Sequence, residues 1–161
     1  ISSPGHADHQ TLDLPMTRDP EIDTDLNAAF EATRYRVFLA GESHVLHIGA
    51  PCPEPLSDWL AHRAFTQCGW LITAYNPKAE QIDAACNQAR DALLRAWAQR
   101  RAAAWLETVN EAPNGGWPDE PGVLVAGIEE GEVRAMGRRL DQVALVQIAV
   151  ANSIELVWLD R

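Results

Sequence analysis

At 161 residues, 47% hydrophobic and 22% charged, the chain has the length and residue usage of one globular domain that buries a core without staples, which excludes a fibre or a disordered polymer. A formal net charge of −10, with Lys78 as the one lysine and no basic stripe, disfavours nucleic acid as a partner, because phosphates need clustered Lys and Arg. The apolar runs, such as residues 143–150, are too short to span a bilayer, so no membrane partner is expected.

Residues 1–20 are rich in Pro, Asp, His and Ser without periodicity and are expected to form a mobile arm ahead of a single domain over 21–161. No charged segment followed by an apolar one opens the sequence, so no signal peptide is expected. Asp23 or Thr24 stands where a cap belongs for a short helix, whose Leu26, Ala29, Phe30 and Thr33 recur at i, i+3, i+4 and i+7. Tyr35, Val37 and Leu39 alternate with Arg34 and Arg36, the period of a half-buried strand. The run Ala40-Gly41-Glu42-Ser43 predicts a turn into a second strand over 44–48. Pro51, Pro53 and Pro55 end that pairing and lead into a helix over 56–64, packed through Leu56, Leu60 and Ala64.

Trp70-Leu71-Ile72-Thr73-Ala74-Tyr75 is nearly continuous apolar and predicts a central strand, halted at Asn76-Pro77. A long helix over 79–101 follows, with Ile82, Cys86, Ala89, Leu93, Ala96 and Trp97 as its expected buried stripe. Next come a strand over 105–109, a loop through Asn114-Gly115-Gly116, Trp117 and Pro118, and a strand over 123–126. A helix over 129–140 carries its acids first and its arginines last, matching the helix dipole. Strands over 143–150 and 154–159 close the chain. The order α-ββ-α-β-α-ββ-α-ββ predicts an α+β fold: a mixed β-sheet with hairpins and three main helices, covered mainly on one face.

Composition and spacing offer little to metal or nucleophile chemistry. His6 and His9 lie in the expected arm, His62 stands alone, and His44 and His47, three apart on a strand, point to opposite sides. No metal and no cofactor are implied. Neither a G-x-S-x-G elbow nor a phosphate-binding glycine loop occurs. Cys52, Cys68 and Cys86 are widely spaced without a CxxC pair, which points to a reducing, cytoplasmic compartment, and Cys86 on the helix stripe reads as a buried, inert thiol.

A polar constellation remains around Asn76, at the carboxyl end of the expected central strand, where ligands commonly bind. On the next helix Asp83, Asn87 and Arg90 fall at i, i+4 and i+7, and Gln142 and Glu120 each precede a strand. Asn76, Asn87, Arg90 and Gln142 are the expected ligand-binding residues, with Trp117 as the tryptophan expected at a site. The opposing reading makes them architectural, since buried polar groups must be bonded whatever the function.

The run Leu71-Ile72-Thr73-Ala74-Tyr75-Asn76-Pro77, with Asn87 on the following helix, resembles DUF3293, a bacterial family of uncharacterised proteins. Glu120-Pro121-Gly122-Val123-Leu124-Val125 and Gln142 ahead of an apolar strand extend the resemblance over residues 34–159. The family's helix ends aromatic-Gly-Gln, where this chain has Leu140-Asp141-Gln142. The resemblance implies fold unity and brings no activity with it.

Two functions are compatible with this reading, and no reaction is legible. The favoured one is binding of a small polar molecule or nucleotide at a pocket near Asn76. The alternative is a protein-interaction module that uses its acidic surface or an edge strand over 154–159.

Overall fold

The computed structural model describes residues 20–63 and 66–159, with the side chains from residue 24 onward. The arm expected over 1–20 lies outside the described residues except for Pro20, which opens the first helix.

That helix, α1, spans Pro20–Ala32 and so begins ahead of the expected caps Asp23 and Thr24. Proline fits a first helical position because its fixed φ suits the helix and its missing N–H has no partner there in any case. Strands β1 (Arg34–Leu39) and β2 (Glu42–Leu46) form a hairpin in which Leu39 pairs with Glu42. Its turn is two residues rather than four, because Ala40 and Gly41 both take positive φ (51° and 80°), the twist-matched hairpin geometry.

After α2 (Glu54–Arg63) come β3 (Cys68–Thr73), α3 (Ala84–Arg101), β4 (Ala104–Glu111), β5 (Glu120–Ala126), α4 (Glu130–Arg139), β6 (Ala144–Ala149) and β7 (Glu155–Trp158). The element order is the expected one, and the fold is α+β. Among the described residues no helix is long and apolar enough to cross a membrane.

The strands make one seven-stranded sheet in the order β2-β1-β4-β5-β3-β6-β7. Every pairing is antiparallel, which corrects the expectation of a mixed sheet. The helical crossovers α3 and α4 do join strands of like direction, as crossovers must. Those strands are never neighbours, however: β3 and β4 flank β5, while β5 and β6 flank β3.

Both faces of the sheet are covered, a second correction. One face carries Trp70, Ile72, Val123 and Val125 and packs on Leu94, Trp97 and Ala98 of α3 and Val133 and Met136 of α4. The other carries Tyr35, Val37, Leu71, Leu124, Val146 and Ile148 and packs on Leu56, Trp59 and Leu60 of α2. Alternation along β3 sends Leu71 and Ile72 to opposite layers, so its continuous apolar run fills both cores.

The buried row of α3 differs from the expected stripe. Asn87, Leu94, Trp97 and Ala98 face inward, whereas Cys86, Ala89 and Ala96 are exposed and Leu93 is 63% exposed. The inward row contains polar residues with partners inside the fold, which an apolar count passes over.

Candidate functional site

The site lies at the end of the sheet where β3 and β4 finish and β1, β5 and β6 begin. β3 ends at Thr73, and the chain crosses to α3 through a loop in which Asn76, Lys78 and Ala79 all take positive φ (50°, 58° and 57°). Left-handed backbone is costly for residues with a Cβ and persists only where surrounding bonds fix it.

Those bonds come from residues the sequence singles out. Asn87 Oδ1 accepts from the Asn76 backbone N–H at 2.8 Å, and Asn87 Nδ2 donates to Asn76 Oδ1 at 2.9 Å. Asn76 Oδ1 also accepts from the Ile82 N–H at 3.2 Å, and its Nδ2 donates to Glu120 Oε1 at 3.1 Å. Arg90 Nε donates to the Ala74 carbonyl at 3.1 Å, and its Nη2 donates to the Leu140 carbonyl. Asp83 caps α3 by accepting from the Cys86 N–H.

The second loop of the site is the end of α4. Asp141 N–H donates to the Arg138 carbonyl at 2.9 Å and Gln142 N–H to the Gly137 carbonyl at 3.0 Å, the Schellman pattern, with Asp141 left-handed at φ 52°. Glycine usually fills that position, and aspartate holds the same geometry here. The two loops are tied together: Lys78 N–H donates to the Asp141 carbonyl at 2.7 Å, and Gln142 Nε2 donates to the Tyr75 carbonyl at 3.1 Å.

Against this frame lies a cavity of about 430 Å³, within the range of small-molecule pockets. Its roof is the face of α1 bearing Leu26, Ala29 and Phe30, with Thr33 just past the helix end, and its floor is the sheet face with Tyr35, Leu71, Thr73, Ala144, Val146 and Leu156. Phe30 is held over the sheet by an edge-on ring contact with Trp158, 5.7 Å between centroids, and Tyr35 Oη donates to its carbonyl.

Asn76, Asn110, Trp117, Glu120 and Gln142 gather at one end of this cavity. Of the expected ligand-binding residues, Asn76 and Gln142 therefore line it, while Asn87 and Arg90 hold the loop and do not.

Glu120 is the charged group at that end. Its Oε1 accepts from Asn76 Nδ2 and Trp117 Nε1. Burial pushes its carboxyl above the ordinary glutamate range, against the opposing pull of those two donors. Burial likewise raises the Tyr35 phenol, with the Glu120 charge adding to the effect.

Asn110 is absent from the sequence-based set. It pairs with Glu120 across β4 and β5 and with Tyr35 across β1 and β4, so the three form one row on the cavity face. Its Oδ1 is buried without a hydrogen-bond partner among the described residues, as is Thr108 Oγ1 one row further in. The strand expected over 105–109 stops one residue short of it, whereas β4 runs on to Glu111 and carries Asn110 into the row. Among the described residues no group of three or more His, Cys, Asp or Glu is gathered to hold a metal ion.

Residues 72–145 match the model of a family described as a protein of unknown function, DUF3293. That stretch contains the whole polar end of the cavity but not α1. No curated protein and no solved structure is significantly similar to the chain.

Proposed function

We propose that this chain, whose residues 72–145 belong to the DUF3293 family, binds a small molecule with an apolar body and one polar end in the cavity beneath α1. The observation that carries the reading is a cavity of about 430 Å³ with aliphatic and aromatic walls and a single polar end built on Glu120 and Asn110. An apolar body recovers the hydrophobic free energy of the walls, and the polar end fixes its orientation. A nucleotide fits less well: the described lining holds no Lys, Arg or His to balance phosphate charge. The reading includes a reducing, cytoplasmic setting, which the free thiols of Cys52, Cys68 and Cys86 support.

The interaction alternative keeps β7 as an edge strand, but the large hydrophobic residues exposed on the described surface, Phe38 and Leu93, sit apart on β1 and α3. They offer no contiguous apolar patch for a partner.

The test is a thermal-shift screen of metabolites on the native protein and on Ala144→Phe, which fills the cavity from its floor. A true ligand at a hundredfold excess over its Kd should raise the Tm of the native protein by roughly 5–10 °C. The same compound should leave Ala144→Phe unmoved. A shift of equal size in both proteins, or none in the native one, overturns the proposal.

A further inference from the structure

We infer that the polar end of the cavity takes an organic cation rich in N–H donors, a primary ammonium or an amidinium, carried on an apolar body. The inference rests on the cavity reading and narrows it to one class of ligand.

It follows from the hydrogen bonds that the polar side chains of the lining make. The hydroxyls of Thr33, Tyr35 and Thr73 donate to the carbonyls of Ala29, Phe30 and Pro121. The Trp117 indole and the Asn76 amide both donate to Glu120 Oε1, and the Gln142 amide donates to the Tyr75 carbonyl. Each of these side chains thus already has a donor engaged within the protein.

Two acceptor oxygens remain at the charged end. Glu120 Oε2 has no hydrogen bond among the described residues, and no described cation forms an ion pair with Glu120. Beside it across the strands stands Asn110, whose Oδ1 is buried and unbonded. A half-buried carboxylate held by two neutral donors is incompletely compensated, and an unpaired buried acceptor beside it costs more. A ligand ammonium answers both, giving charge to Glu120 and a hydrogen bond to Asn110. The Trp117 ring, also in the cavity lining, adds a surface that favours a cation over a neutral group. An anionic ligand would meet the Glu120 charge with no countercharge among the described lining residues.

The experiment is calorimetric titration of the native protein with three probes of similar body: 4-phenylbutylamine, 4-phenyl-1-butanol and 4-phenylbutanoate. The amine should bind at least about tenfold more tightly than the alcohol, the margin of a charge-assisted bond, and the carboxylate should bind most weakly. Glu120→Gln keeps an acceptor for Asn76 and Trp117 and should bring amine and alcohol to parity while alcohol binding persists. Asn110→Val, a good strand former, should reduce the amine preference several-fold and serves if Glu120→Gln melts early by circular dichroism. Alcohol or carboxylate binding as tightly as the amine overturns the cation inference and leaves the cavity reading standing. Binding of none of the three, with no compound in the thermal-shift screen acting through the cavity, defeats both.

Discussion

Asn87 and Asn76, eleven residues apart, hold each other by two reciprocal bonds, with the Asn87 amide donating to the Asn76 side chain and accepting from the Asn76 backbone. Each is only 5% exposed. The pair fixes a left-handed residue beside a cavity that Asn76 lines and Asn87 does not. Asn87 therefore shapes the site without touching its contents.

Asn87→Ala should lower stability by about 2–4 kcal/mol, because it strands the Asn76 N–H and weakens the hold on Asn76 Oδ1 in a buried setting. Urea denaturation monitored by circular dichroism measures it. A loss below about 1 kcal/mol would show that the pair is not a structural clamp.

Asp141→Gly should stabilise the protein by about 0.5–1 kcal/mol, since glycine takes the left-handed position at the end of α4 without a Cβ penalty. The urea midpoint should rise with the m-value unchanged. A fall in midpoint would mean that the aspartate side chain contributes more than its backbone geometry costs.

The α4 end also shows how much was legible. Helix, loop and strand order follow from periodicity and breakers, and Gln142, expected as a ligand-binding residue, bonds the Tyr75 carbonyl next to Asn76. The orientation of α3 was not legible: Cys86, Ala89, Leu93 and Ala96 form the more apolar row, yet the inward row begins with Asn87. Hydrophobic periodicity ranks residues by transfer free energy and is blind to polar groups whose partners arrive from distant segments, as the Ala74 and Leu140 carbonyls do for Arg90. Strand direction was hidden for a related reason, because which strand fills the gap left by a crossover depends on long-range pairing. Asn110 is not legible in the sequence, because its significance lies in its cross-strand neighbours, Tyr35 and Glu120.

Glu120 predicts a pH dependence. Its carboxyl is raised in the folded state, first by burial, so the folded protein binds more protons than the unfolded chain between the ordinary glutamate value, about 4.3, and the raised one. This group's contribution to stability is therefore most favourable below that interval and falls as pH rises through it. Tyr35, the other titratable group on the same row, stays protonated throughout. Glu120→Gln removes the step, so the Tm of native protein relative to the variant should decline as pH rises from about 4 and then level off. A constant difference between the two across pH 4–8 (roughly the range around that ordinary value) would contradict the burial of this carboxylate.

The most direct test of the central claim is chemical-shift mapping on ¹⁵N-labelled protein titrated with 4-phenylbutylamine. Saturable shifts should centre on the amides of Thr73, Asn76, Asn110, Glu120, Gln142 and the α1 face at Ala29 and Phe30, with Leu93 on the far side of α3 unmoved. Shifts scattered over the exposed surface, or none at the cavity while the probe is in excess, would contradict a ligand site beneath α1.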